Sequence, residues 1–543
     1  QVIRDVSEDL AEELGISEKS ALNSLYYGGY RIYTTIDPEI QEIAETVYED
    51  ASNAKTSARG QKLHSAITIV EPSTGDVVAM VGDLGEKEGD LVLNWATTVR
   101  QCGSSIKPIA TYAPALDAGI ITPASAIDNA PVRVLNGRPW PRNDNGVYSG
   151  LMTLSAAVSG SVNAVAVRVN EMLGVQKSFD FLTENLGITT LVSSEDDSSR
   201  NDMNSASLGL GGLTNGVTTE EMAAAFATFA NNGVYNEPRL YTKVTQVDSN
   251  GTETVIIENE SESHAAMKET TAYMVTKLLQ TAVSSGTGRG AQFSGMSIAG
   301  KTGTTSENYD RYFAGYTPYY AAAVWCGYAN NERIVSSVNP SAALWRQVMS
   351  KIHANLEDIG FSRPDGMVQV TVCKDSGLLP SDACSHDVRG ESRLQTVWVA
   401  KGTEPTETCN VHVDVQYCTE GQCLAGEFCP EESVKTVSVL NYTRDSFGAA
   451  VSDTPYLLGT LEAASKEPDE NGVVGCPIHT QAQPEDPVVV DPNDPNAGGS
   501  TQNPDEETGE ETEEGSGDGG NGSGNGEDWV NDLWNGGSAS ANR

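Results

Sequence analysis

The chain has 543 residues, 38% of them hydrophobic, and a formal net charge of −41 from 34 Lys and Arg against 75 Asp and Glu. That length can bury a large core and more than one folding unit. The acidic balance argues against nucleic acid as a partner, because phosphate binding needs clustered Lys and Arg. The acidity is uneven: residues 481–543 hold 15 Asp or Glu and one base, Arg543.

Residues 1–29 read as a helical lead-in, with acidic residues near the start and a stop at Gly28-Gly29. Residues 30–36 alternate like a strand, and Asp37-Pro38 starts a helix expected to run to about Ala54. Residues 65–70 and 76–82 flank a Pro-Ser-Thr-Gly turn and predict a hairpin. A largely helical stretch follows to about residue 235, including an apolar run at 109–116 and a helix at 220–230. Strands are expected at 242–247 and 254–257, a helix around 271–283, two strands about Lys301 and 321–326, and a last helix over 342–354. Strands at both ends with helices between imply one sheet completed by distant segments, an α+β arrangement. No internal repeat stands out.

Seven of the nine cysteines fall between Cys373 and Cys476, in a polar and poorly periodic region. This suits disulfides in an oxidising compartment, with at least one thiol unpaired. Zinc is the alternative for Cys373, Cys384, Cys409, Cys418, Cys423, Cys429 and Cys476 with His386, His412 and His479. It is disfavoured here because the spacing of Cys418, Cys423 and Cys429 reads as wider than that of a zinc-site Cys pair. The Gly, Asn, Glu and Pro-rich residues 481–543 are expected to be disordered, apart from an apolar island at 529–534. The chain starts at Gln1 and has no signal peptide and no apolar run of transmembrane length. It is therefore expected to be a processed product or fragment, with any membrane anchor upstream.

Three motifs carry chemistry. Ser104 and Lys107 are three residues apart at the start of an apolar run, so a helix would place them on one face. A serine beside an amine is a candidate acyl-transfer nucleophile, if burial and a nearby cation lower the lysine's pKa. Ser161 and Asn163 lie two apart among apolar residues and suggest an inward-facing polar pair. Lys301-Thr302-Gly303-Thr304 puts a cation on a strand, with Gly303 where another backbone must approach, and such an edge can take an extended peptide as an added strand.

Ser-Xaa-Xaa-Lys, Ser-Xaa-Asn and Lys-Thr-Gly in this order resemble the set found in β-lactamases and penicillin-binding proteins. Over roughly residues 28–350 the chain resembles the transpeptidase region of class A penicillin-binding proteins. Residues 29–38, 70–82, 138–143, 207–211, 286–289 and 299–318 carry that likeness. The resemblance implies an α+β, serine β-lactamase-like fold: a mainly antiparallel sheet flanked by helices, plus a mostly helical subdomain. It divides the chain into a lead-in (1–29), a D,D-transpeptidase domain (30–365), a Cys-rich extension (366–480) and an acidic tail (481–543).

The implied activity is cross-linking of peptidoglycan stem peptides ending in D-Ala-D-Ala, blocked covalently by β-lactams, with no cofactor and no metal. Ser104 would be the nucleophile, Lys107 the base, and Ser161 the proton relay with Lys301 behind it. Asn163 would hold the substrate amide. Backbone N–H groups of Ser104 and Thr304 would form the oxyanion hole, and Thr302, Gly303 and Thr304 would meet the terminal carboxylate. The expected location is the outer face of the cytoplasmic membrane, reached through the upstream anchor and a glycosyltransferase domain. A D,D-carboxypeptidase and a non-turnover β-lactam-sensing or wall-binding domain are the rival readings. A β-lactamase is disfavoured, since no Glu-Xaa-Xaa-Leu-Asn segment lies between Asn163 and Lys301. Cys102, Ile106 and Tyr312 stand where the family usually has Pro, Phe and Trp. Cys102 could fill space beside Ser104 or act as a redox-sensitive neighbour.

Overall fold

The computed structural model describes residues 1–87, 89, 92–465 and 476–479. The expected disordered tail and the island at 529–534 lie outside the described residues. Five strands form the central sheet: β1 (His64–Val70), β2 (Val77–Val81), β3 (Ala299–Thr304), β4 (Asp310–Tyr316) and β5 (Ala321–Gly327). Their order is β3-β4-β5-β1-β2, and every neighbouring pair is antiparallel. The early hairpin and the late strands thus complete one sheet, as their separation in sequence implied.

Both faces of this sheet are covered, and strand alternation divides the side chains between two cores. From β5, Ala321, Ala323 and Trp325 enter one core, while Ala322, Val324 and Cys326 enter the other. From β1, Ala66 and Val70 face the first and Ile67 and Ile69 the second. The first core lies under the helices α1 (Asn163–Leu173), α2 (Thr219–Ala230) and α3 (Glu269–Ser284), the second under α4 (Pro340–Ile352) and the helix Pro38–Glu49. A capping box between Thr218 and Glu221 fixes the start of α2. Thr68, buried in β1, meets Thr219 of α2 through a 2.8 Å hydroxyl hydrogen bond.

Some boundaries differ from expectation. The helix opened by Asp37-Pro38 stops at Glu49, five residues early. Asp50 turns extended and its carboxylate accepts the Ser52 N–H, an Asx turn that competes with the next helical turn. The lead-in is two helices, Val2–Leu14 and Glu18–Tyr27, divided at Gly15 in the left-handed conformation.

The Cys-rich region contributes the strand pair β6 (Met367–Cys373) and β7 (Leu394–Ala400), then a sheet of β8 (His412–Cys418), β9 (Cys423–Leu424) and β10 (Val434–Leu440). Val372 and Val399 pack with Ala124, and Met367 joins the first core. Further along, Arg444 binds both Asp128 and Asp453, and Asp453 accepts the N–H of Leu151. The expected disulfides are absent: all nine cysteines are free thiols, eight of them buried. Six of them instead gather with His412 and His479 in two groups. No described helix is long and apolar enough to cross a membrane.

Trp345 of α4 is fully buried against Phe313, and its indole N–H donates to the Ala322 carbonyl at 3.1 Å. Trp345→Ala empties this space and should cost about 3–5 kcal/mol in a denaturant unfolding curve. A change below about 1 kcal/mol, within the range of surface substitutions, would contradict the packing described.

Candidate active site

The segment carrying Ser104 is not one regular helix. Gly103–Ile106 is a 3₁₀ turn, Pro108–Tyr112 a π-helical turn and Ala113–Asp117 α-helical. Proline explains the change of pitch. Pro114 has no N–H to return to the Ala110 carbonyl, and the Ser178 hydroxyl donates to that carbonyl instead, at 2.5 Å. The 3₁₀ turn leaves Ser104 partly exposed while Cys102, Gly103, Ser105, Ile106 and Lys107 are buried. Ser104 lines an open cleft of about 1000 Å³, together with Asn163, Gly211, Trp140 and Thr304.

Three glycines allow the walls of this cleft to close on one another. A methyl group on Gly303 would lie 2.0 Å from the Cys102 carbonyl oxygen. One on Gly103, at φ +52°, would come within 2.4 Å of Thr304 O and 2.9 Å of Thr304 N. Gly211, at φ +80°, fits with equal closeness against Gly103 O. Edge strand β3 therefore passes backbone to backbone along the turn that carries Ser104. At Gly303 the backbone that approaches is the chain's own, at Cys102, and Gly103 and Gly211 were not singled out for such an approach.

The polar side chains converge from three segments. Lys107 and Lys301 are both 0% exposed. Lys107 Nζ donates to the Ser161 carbonyl at 2.8 Å and to Asn163 Oδ1 at 2.6 Å. Lys301 Nζ donates to Ser161 Oγ at 2.8 Å and to the Thr302 carbonyl at 3.0 Å. Ser161 adopts φ 55°, a left-handed conformation uncommon for serine, which turns its carbonyl to one lysine and its hydroxyl to the other. Burial and, second, the neighbouring Lys301 charge push the Lys107 pKa well below the ordinary lysine value. Burial lowers that of Lys301 to about 7. Among the described residues no hydrogen bond joins Ser104 Oγ to Lys107.

Residues not assigned a role in advance hold these groups in place. Asn143 Oδ1 accepts the N–H groups of Asn163 and Ala164, capping α1 from a distant loop, and Asn163 Nδ2 donates to the Arg142 carbonyl. Thr302 Oγ1 donates to Thr287 Oγ1 at 2.8 Å, and Arg311 donates to Thr304 Oγ1 at 3.0 Å. Cys102 is wholly buried in the first core, and burial raises its thiol to about 12, so it is a neutral space-filling residue beside Ser104.

Comparison with known proteins supplies the family. Residues 65–350 match the penicillin binding protein transpeptidase domain, and residues 363–414 match the C-terminal domain of penicillin-binding protein 1A. The chain is 32% identical over 441 residues to penicillin-binding protein 1A of Clostridium tetani, covering 76% of this chain and 54% of that one. It is 30% identical over 400 residues to penicillin-binding protein 1A/1B of Bacillus subtilis, covering 70% and 41%. The chain spans about half the length of the curated relatives it matches. Among solved structures it is similar to PonA1 of Mycobacterium tuberculosis in complex with penicillin V, with TM-score 0.56, 25% identity, and 67% and 95% of the two chains covered. Penicillin-binding protein 1A of Haemophilus influenzae shares the fold, with TM-score 0.58 at 18% identity, and 75% and 76% covered. The α+β architecture, the cleft around Ser104 and a match over more than half its length place the chain in the penicillin-binding protein transpeptidase family.

Proposed function

We propose that the chain cross-links peptidoglycan stem peptides through an acyl-enzyme on Ser104, outside the cytoplasm, and that β-lactams trap this intermediate. The observation that carries the reading is the pair of hydrogen bonds from the buried Lys107 amine. A neutral amine has two N–H donors and one lone pair. Both donors are engaged, by Ser161 O and Asn163 Oδ1, so the lone pair is left to act as base.

Lys107 takes the Ser104 proton as Oγ attacks the carbonyl between the two D-alanines. The developing oxyanion meets the backbone N–H groups of Ser104 and Thr304, where losing one such donor typically costs about 3 kcal/mol. The proton passes through Ser161, hydrogen-bonded to Lys301, to the departing D-alanine amine. An amino group of a second stem peptide then attacks the ester, forming the new amide and freeing Ser104. Protonated Lys301, with Thr302 and Thr304, receives the terminal carboxylate at the edge of β3, and the Asn163 amide group holds the peptide.

Intact mass spectrometry should find one penicilloyl adduct per chain, stable over minutes, and none on Ser104→Ala. An adduct that hydrolyses within seconds would assign a hydrolase instead. Donor stem peptide with an amine acceptor should give cross-linked product; release of D-alanine alone would mean a carboxypeptidase.

The two lysines set the pH dependence of acylation. Below its lowered pKa Lys107 is protonated and cannot act as base, so the second-order rate constant should rise with pH through that value. As Lys301 loses its proton near pH 7 the carboxylate clamp weakens, and the rate constant should fall again. Lys107→Arg, cationic at every accessible pH, should acylate about 10²–10⁴-fold more slowly. An acid limb unchanged in that variant would contradict the assignment. Gly303→Ala, forcing β3 away from Cys102, should slow acylation about 10²-fold through misplacement alone.

A further inference from the structure

The Cys-rich region holds an arrangement that the acyl-transfer reading does not use. Cys373 at the end of β6, Cys384, Cys409 and His412 at the start of β8 are all buried, and their ligand atoms lie within 4.8 Å of one another. His412 Nδ1 stands 3.4 Å from Cys373 Sγ and 3.5 Å from each of Cys384 Sγ and Cys409 Sγ. Zn–S bonds of about 2.3 Å and Zn–N bonds of about 2.0–2.1 Å at tetrahedral angles place each S···N edge at roughly 3.5–3.6 Å. A histidine equidistant from three thiols at that separation is the geometry of a closed four-ligand site, while disulfide bonding would bring two sulfurs to about 2.05 Å.

The surroundings suit a metal. His412 Nε2 lies 3.0 Å from Asp387 Oδ2, so the Nε2–H donates to a carboxylate and Nδ1 keeps its lone pair toward the thiols, as in carboxylate–histidine–zinc triads. The Asp375 N–H donates to Cys373 Sγ at 3.4 Å, favouring thiolate. Arg389 and Arg393 bind Asp375 and Asp387, so the two carboxylates add no net negative charge to that of three thiolates and a divalent ion.

A second group repeats the first. Cys418, Cys429, Cys476 and His479 again lie within 4.8 Å of one another. His479 Nδ1 is 3.5 Å from both Cys418 Sγ and Cys476 Sγ, and its Nε2 is 3.2 Å from Glu420. Both groups begin with two cysteines separated by ten residues and end in Cys-Xaa-Xaa-His, at Cys409 and at Cys476. This is an internal repeat that the chain order conceals, because unequal insertions separate its halves. Cys423, with its sulfur 3.5 Å from that of Cys476, is the extra thiol of the second group. Cys418 and Cys423 are also separated by four intervening residues, inside the usual zinc-pair spacing and not beyond it.

We propose that the C-terminal region binds two structural zinc ions, one held by Cys373, Cys384, Cys409 and His412 and the other by Cys418, Cys429, Cys476 and His479. Thiolate and imidazole ligands without an open position select zinc and a structural role. In an oxidising compartment the bound ion also keeps these thiols from pairing.

The full chain, purified in reductant and dialysed against a competing chelator, should retain two zinc ions by elemental mass spectrometry. Cys409→Ser should retain one and Cys476→Ser the other, each still acylated by penicillin at Ser104. That adduct reports a folded catalytic unit independently of the metal. Cobalt(II) in place of zinc should show the intense visible bands of tetrahedral thiolate coordination. Wild-type chain without retained metal, with Cys373, Cys384 and Cys409 in disulfides by non-reducing peptide mapping, would overturn the proposal. So would zinc content unchanged in Cys409→Ser. A single ion lost only in Cys409→Ser would uphold the first site and overturn the second.

Discussion

Two fully buried lysine amines meet at one serine, and most of the Ser104 cleft is arranged around that contact. Removing two ammonium groups from water costs several kcal/mol each, and their mutual repulsion adds to it. The fold relieves this by supplying oxygens to both amines and by lowering their proton affinity. Ser161 serves both with different atoms, which is why its backbone is held in a left-handed conformation. Asn143 fixes the first turn of α1, and with it Asn163, so the oxygen facing Lys107 is set by a loop some twenty residues earlier in the chain.

The sheet supplies the other half of the arrangement. Strand β3 has β4 on one side and presents Lys301, Thr302 and Thr304 on its remaining edge, where the turn carrying Ser104 lies against it. Gly103 and Gly303 set that separation. The helical layer brings Ser161 in from one side and the sheet brings Lys301 in from the other, so neither half has the complete constellation.

Much of this was legible in the sequence, for identifiable reasons. Near-continuous apolar runs at 65–70 and 321–326 report strands covered on both faces, and Asp37-Pro38 announces a helix start through its capping chemistry. Ser104, Lys107, Ser161, Asn163 and Lys301 were named from motif order, and the structure brings Lys107, Ser161, Asn163 and Lys301 into one hydrogen-bonded group beside Ser104. Less visible was the change from 3₁₀ to π to α pitch after Gly103, which depends on Ser178 arriving from elsewhere to serve the Ala110 carbonyl. Asn143 and Thr287 were equally hidden, because hydrogen bonds between distant segments leave no local pattern. The cysteines misled for a different reason. Local spacing was weighed between neighbours, while each group is assembled from a strand end, a loop and a Cys-Xaa-Xaa-His pair far along the chain.

The proposed chemistry needs a Lys107 amine that gives up its proton well below the ordinary lysine value. Titration of protein carrying ¹³C at the lysine ε carbons, with Lys107→Arg to assign the resonance, observes this directly. The Lys107 signal is expected to titrate well below the ordinary lysine range, because burial and the neighbouring Lys301 charge disfavour its protonated form. A signal that titrates near the ordinary lysine value of 10.5 would contradict it.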